Sequence, residues 1–408
     1  MLSLLKNKKI SNWCLFDFAI SAYPTLIITF FYGAFYAKKI ATDPVMGTSL
    51  WGYALSSASV LCFLFFGFLL ICGRYFFKKI GNRFFSIFFY AMILFTFFLF
   101  VFDENSNQLL PLVFIIITYI CFEFVNLFYN VSLFEVKKKN FEGAISNLGW
   151  AFGYLGGLLS LTIVFIFLQK TKNQDYELMG LPILLYIGPF VAIWTLVFGL
   201  RHIEGSKHLS FNLPNVVKFF DNLRASSLHS FLFSYFFFNN AVVAIFAFAS
   251  MFAAFIFNLS ESQILLMGVF INLFGILGCL ILGNYEDRVG SMKIVYLCVM
   301  SLLIISITLF FIKSTFLFWI LALALGFFVG PIQASSRSLL VKFIRSSNQL
   351  SVFTVYSMLG NLCSILGPFF VGLVIDLSES IRVGMLTIPI FFMLSLIPGF
   401  FSPKKINA

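Results

Sequence analysis

Charge is what this 408-residue chain has least of: only 11% of its residues are Asp, Glu, Lys or Arg, against 61% hydrophobic and 20% aromatic. A soluble domain of this length could not keep its surface polar on so few charges, which excludes a water-soluble fold. No C-x-x-C pair occurs. The seven cysteines, Cys14, Cys62, Cys72, Cys121, Cys279, Cys298 and Cys363, stand singly in apolar surroundings and read as small buried hydrophobes. Histidine is rarer still: His202 and His208 fall in a central polar interval and His229 at the start of an apolar run, so no metal site is expected. The phosphate-binding pattern G-x-x-x-x-G-K-[ST] is missing, and with it the sequence mark of an ATP-driven machine. No cofactor is expected.

What fills the chain instead is apolar runs, each long enough at about 20 residues to cross a hydrocarbon core of about 30 Å. They fall near 13–37, 49–73, 84–103, 109–134, 144–168, 181–200, 229–257, 264–283, 294–312, 316–336, 351–375 and 385–402. The first follows Lys6, Lys8 and Lys9 but is too long for a signal peptide and carries Asp17, so it is expected to remain as a first helix. Twelve spans put both termini on one side. With the termini cytoplasmic, the outside loops hold only Lys38, Lys39, Lys170, Lys172, Lys313 and Arg382 of the 27 Lys and Arg, and none sits mid-span. That bias predicts an N-in, C-in topology, and the net charge of +11 then serves topology and anionic lipid rather than nucleic acid.

The longest polar interval separates six spans from six. We expect an N-terminal bundle over 1–200, a cytoplasmic linker over 201–228 with a short amphipathic helix from Asn215 to Ala225, and a C-terminal bundle over 229–408. Glycines echo between the halves at a nearly constant offset: Gly73 with Gly283, Gly149 with Gly360, and Gly156 with Gly367. Internal repeats of this kind mark transporters that bind substrate near the midplane and rock one half against the other. In the fifth span, Gly149, Gly153, Gly156 and Gly157 leave one side without bulk, so a neighbouring backbone can come close; Gly360 and Gly367 are their counterparts in span eleven.

The segment GNYEDRVGSMK, Gly283 to Lys293, resembles the signature loop of the major facilitator superfamily. Its glycines Gly283 and Gly290 suit a tight turn, Asp287 suits a helix N-terminus, and Arg288 suits the phosphate layer. Further segments narrow the resemblance: WCLFDFAISAY from Trp13, WGYALS from Trp51, FEFVNLFYN from Phe122, SNLGWAFGYLGG from Ser146, IQASSRSL from Ile332 and LGPFFVGL from Leu366. Together they are similar to the vacuole-effluxer-like family of that superfamily, whose fungal members export amino acids from the vacuole. The resemblance implies an all-α integral membrane fold of twelve helices in two pseudo-symmetric six-helix halves, with spans one, four, seven and ten lining a central cavity. It also implies a gate in which Asp287 and Arg288 work against Arg337 or neighbouring helix ends. Departures from the family pattern are Ile20, Ala241 after Asn239 and Asn240, Phe134, and Phe77 where the loop after span two would carry an acid. That loop is left with Arg74, Lys78 and Arg83 for lipid anchoring.

Two acids sit inside spans, Asp17 and Glu123, with no basic residue in their own helices. An ionised carboxylate there costs at least about 2.5 kcal/mol, so each needs a wet cavity, a proton or a cation. Asp17, Ser21 and Thr25 recur every four residues, and Tyr119, Glu123, Asn126 and Asn130 follow i, i+4, i+7 and i+11, so each set lines one face. Tyr235, Asn239 and Asn240 add a phenol and amides in span seven. The alternative for each is a helix-to-helix hydrogen bond with no part in binding. The reading is a gradient-driven transporter of a small solute, with lipid as its other partner, acting as a monomer in a bacterial inner membrane; its rivals are a lipid-modifying membrane enzyme and a transport-fold sensor. A cysteine placed at Ser206 in a Cys-less background should be labelled only from the cytoplasm, and labelling from outside in intact cells would overturn the topology.

Overall fold

The computed structural model describes residues 1–80, 83–171, 177–178, 181–205, 228–343 and 349–397. Helices account for nearly all of it, because backbone polar groups in hydrocarbon must be satisfied within the chain. They are α1 (Lys8–Ile40), α2 (Pro44–Ile80), α3 (Arg83–Val101), α4 (Leu109–Val136), α5 (Glu142–Thr171), α6 (Ile187–Gly205), α7 (Leu228–Phe257), α8 (Glu261–Val289), α9 (Ser291–Phe311), α10 (Thr315–Phe343), α11 (Gln349–Ser378) and α12 (Ile381–Ser395). Eleven are long and apolar enough to span; α12 is shorter, and the rest of its apolar run lies outside the described residues. The only strands among the described residues are the two-residue pair Glu177–Leu178 and Leu181–Pro182.

Large apolar side chains lie both outside and inside, and polar ones join them in the interior. Side chains such as Phe311, Leu377 and Ile71 point outward, while Asn147, Glu286, Ser335 and Arg337 lie inside. The halves meet most extensively where α5 runs along α8 and α10, and where α2 runs along α11.

Three boundaries differ from the sequence reading. The sixth helix starts at Ile187 rather than 181 and continues past 200 to Gly205, so His202 is not in a loop. Its ring is buried 4.9 Å from Phe16, and Ser132 Oγ lies 3.2 Å from its Nε2. The expected helix 215–225 and His208 lie outside the described residues. The signature segment is not a loop either: α8 runs through it to Val289, and only Gly290, at φ 102°, turns the chain. Gly283 is therefore mid-helix, and its lack of a side chain serves close approach, since a Cβ there would collide with Asn147 of α5. Finally, α1 is not uniformly wound. Tyr23–Phe30 and Tyr36–Ile40 take the wider π form, the first with Pro24, which cannot donate to the ladder, as its second residue.

The small stripe on α5 receives α1. A Cβ on Gly149 would meet Trp13 and the Tyr129 hydroxyl, one on Gly153 would meet Asp17, one on Gly156 the backbone of Phe18, and one on Gly157 the hydroxyl of Thr25. The second half repeats the contact: a Cβ on Gly367 would meet the backbone of Asn240, so α11 receives α7 as α5 receives α1. Gly360 is looser, with only the Tyr235 hydroxyl near it. Overpacking a close contact costs about 1–3 kcal/mol and more where backbone must yield. Gly156→Leu should therefore lower the unfolding midpoint of the purified protein sharply or abolish folded yield, whereas Gly372→Leu, which meets nothing within 4 Å, should change it little. Equal midpoints for the two would remove the α1–α5 contact from the account.

Candidate functional site

Arg337 projects from α10 into the N-terminal half and is almost fully buried. Its Nε donates to Ser146 Oγ at 3.0 Å, Nη2 to the Ser146 carbonyl at 2.8 Å, and Nη1 to Asn130 Oδ1 at 3.0 Å. The guanidinium lies 4.8 Å over Trp13 and 5.2 Å over Tyr129, two rings that stack on each other at 4.5 Å. Asp17 Oδ2 is 3.9 Å from Nη1; it accepts from the Tyr129 hydroxyl at 3.0 Å, while Ser21 donates to Oδ1 at 3.4 Å. Asn130 in turn donates to Asn126 at 3.4 Å. A buried guanidinium needs its planar fork filled and a compensating charge, and here acceptors from α4 and α5, a carboxylate from α1 and two aromatic faces supply both.

The ion-pair partner of Asp17 thus comes from the opposite half, the lysines of its own helix lying at the helix ends. Arg337, expected at the gate, and Asp17, Ser21, Asn126 and Asn130, expected at the substrate site, form one cluster. Asn130 and Arg337 are 207 residues apart and hydrogen-bonded, one from span four and one from span ten.

Glu123 lies elsewhere. Its Oε2 accepts from Asn361 Nδ2 of α11 at 2.8 Å, again across the halves, and no ion pair reaches it among the described residues. One helical turn back, Tyr119 accepts from Ser59 of α2 at 3.3 Å. The span-seven residues divide: Tyr235 stacks on Tyr356 at 4.1 Å, and Asn239 accepts from Gln333 of α10 at 2.8 Å. Asn240 donates to the Phe236 carbonyl and to Cys363 Sγ, so its amide joins α7 to α11 rather than facing the Arg337 cluster.

At the end of the bundle that carries Lys137, Lys138 and Lys139, the signature segment grips the opposite half. Asp287 accepts from the amides of Gly143 at 2.9 Å and Ala144 at 2.8 Å, the unpaired first-turn donors of α5, and from Lys342 Nζ at 2.9 Å. A carboxylate at a helix N-terminus meets both free N–H groups and the positive end of the helix dipole. Arg288, expected beside it in the gate, is exposed and forms no bond among the described residues, because the helical turn that points Asp287 inward points its neighbour out.

Glu286, Asn147, Ser146, Ser335, Ser338, Lys342, Asn361 and the ring of Trp13 also take part, although none of them stands out as a site residue in the sequence. Their signals were weak. Ser335, Ser338 and Lys342 fall at i, i+3 and i+7 and share a face, and Trp13 precedes Asp17 by one turn. Asp287→Asn keeps the shape but removes the charge that grips α5 and Lys342. It should make a cysteine at Ala334, whose carbonyl accepts from Ser146 across the seam, severalfold more reactive in a Cys-less background. Unchanged reactivity together with unchanged transport would take Asp287 out of the gate.

The chain matches, over residues 135–404, the model of the family described as vacuole effluxer Atg22 like. The uncharacterized MFS-type transporter YxiO of Bacillus subtilis is 23% identical over 98% of this chain and 96% of that protein. Autophagy-related protein 22 of Pichia angusta is 26% identical over 62% of this chain, and the match spans about half (53%) of the fungal protein's length. Among solved structures, the major facilitator superfamily transporter FucP in the outward conformation superposes with a TM-score of 0.71 over 96% of this chain and 98% of its own, at 14% identity. That last likeness speaks of fold.

Proposed function

The chain belongs to the vacuole effluxer Atg22-like family of major facilitator transporters, and from that premise we propose that it carries neutral amino acids or similar small zwitterions, coupled to protons, by alternating access. We place it as a monomer in a bacterial inner membrane with both termini cytoplasmic, which makes the end bearing Asp287 the cytoplasmic gate. The observation that carries the coupling is Glu123: a carboxylate at membrane depth whose one hydrogen-bond donor among the described residues is the neutral amide of Asn361 from the other half. Unneutralised by any cation, it is costly as an anion and cheap as an acid. Taking up a proton lets it cross without that cost.

Asp17 and Arg337 supply the complementary chemistry for a zwitterion. An ammonium can replace the guanidinium beside Asp17, and a carboxylate can replace Asp17 beside Arg337. Because Arg337 also holds Ser146 by two bonds across the seam, any ligand that draws on the guanidinium loosens the closed end. Occupancy and gating then share one residue, as a carrier requires: a ligand shifts a conformational equilibrium only through contacts that differ between the two states.

Glu123→Gln should abolish net flux driven by a pH gradient in proteoliposomes while sparing substrate exchange, since exchange releases no proton. Flux equal to wild type in that variant would show that Glu123 is not the proton carrier. If no amino acid is moved or bound by the wild type, the proposed cargo is wrong.

A further inference from the structure

The most completely caged charge in the molecule is Glu286, which stands beside the gate aspartate and has no place in the transport reading above. Its side chain is fully buried. Oε1 accepts from Ser291 at 2.6 Å and from Ser338, Oε2 accepts from Ser335 at 2.7 Å and from Asn147 Nδ2 at 2.6 Å, and Lys342 Nζ stands 3.9 Å away. Ser291 is further braced by Lys342 at 2.9 Å and by Ser338 at 3.1 Å.

These partners divide unequally between the halves. Ser291, Ser335, Ser338 and Lys342 belong to α9 and α10, in the same half as Glu286; Asn147 alone comes from α5. A rocking motion that separates α5 from α8 therefore leaves the carboxylate with three hydroxyls and a cation of its own half, so it keeps its place and most of its partners. Only the bond from Asn147 breaks.

Asn147 is fitted for repeated release. Its Nδ2 gives one hydrogen to Glu286 and the other to the Gly143 carbonyl of its own helix, at 3.0 Å, so when the seam opens one N–H keeps its partner and the other is released to water. Its Oδ1, by contrast, is buried with no hydrogen-bond partner among the described residues. A buried acceptor left unpaired burdens the closed state, and opening to water relieves it. One strong bond made on closing is thus opposed by one unpaired acceptor relieved on opening, which keeps the contact from becoming permanent. Gly283 allows the approach: its missing side chain is what lets Asn147 lie against α8.

We propose that Glu286 is the fixed acceptor of a reversible catch, held rigidly in its own half while Asn147 docks on it and leaves it, and that this pair sets how often the basic end opens. It rests on the alternating-access reading and adds to it a positioning residue that touches no cargo.

The test uses the full chain in liposomes, with spin labels at the exposed positions Phe141 and Lys293, one in each half, and reads the distance distribution between them. Asn147→Ala removes the bond and the opposing unpaired acceptor together, and should still raise the population of the longer, open distance severalfold relative to wild type, because a hydrogen bond to a charged group outweighs one neutral unpaired acceptor. Asn147→Asp, which sets a second carboxylate against Glu286, should shift it in the same direction even if the alanine variant is recovered poorly. Ser338→Ala, within the cage, should lower the unfolding midpoint and leave the distance populations as in wild type. A wild-type distribution in both Asn147 variants, while Asp287→Asn shifts it, overturns the catch and leaves alternating access standing. Opening by Ser338→Ala as large as by Asn147→Ala overturns the division between fixed cage and moving donor. A single distance in every variant and at every pH sinks the alternating-access reading and the catch together.

Discussion

A guanidinium cannot be left bare in a membrane interior, and Arg337 is the group around which the two halves of this protein close. Carried on α10, it takes its acceptors from Ser146 on α5 and Asn130 on α4, its nearby carboxylate from Asp17 on α1, and its aromatic cover from Trp13 and Tyr129. Every one of those partners lies in the other half. Removing any of them leaves an incompletely paired charge where no water can repair it, which is why a buried pair is weak evidence of net stability yet expensive to break. The halves are held in register by this need more than by the apolar contact around it, since lipid tails satisfy apolar surface as well as another helix does.

The same logic, with opposite sign, governs the basic end. Asp287 and Glu286 are anions brought against the N-terminus of α5 and a cage of hydroxyls, with Lys342 between them. Neither interaction depends on side-chain shape in the way apolar packing does; the amide bonds to Asp287 and the Asn147 bond to Glu286 need α5, while the hydroxyl cage and Lys342 stay with the second half. An end closed by charge-assisted hydrogen bonds to one helix can open when that helix moves, without repacking a core. In the sequence of the first half Phe77 stands at the place that corresponds to Asp287.

Packing explains how such polar contacts can form between thick helices at all. Four glycines on α5 let α1 come close enough for Asp17 and Trp13 to reach Tyr129 and Arg337, and Gly283 on α8 lets Asn147 reach Glu286. The repeat-related Gly367 does for α7 and α11 what Gly156 does for α1 and α5. Small residues here are therefore the geometrical condition for the chemistry, because a single added methyl group would hold the donors and acceptors apart.

Helix count, the two-half organisation and the scarcity of intramembrane acids were legible in the sequence, because hydrocarbon length and the cost of burying charge act on each segment alone. The small face of α5 was legible for the same reason, as was the fitness of Asp287 for a helix N-terminus. Pairing was not. That Asp17 would meet Arg337 from 320 residues away, that Glu123 would meet Asn361, that Asn240 would turn aside to Cys363, and that Glu286 would outrank Arg288 are outcomes of which helix faces which. Local periodicity assigns a residue to a face but carries no information about the opposing helix, and an i to i+1 step around a helix is enough to send Glu286 inward or Arg288 outward. Membership of a face is a property of the chain; the partner on the other side is decided only when twelve helices must share one interior and every buried charge in it has to be answered.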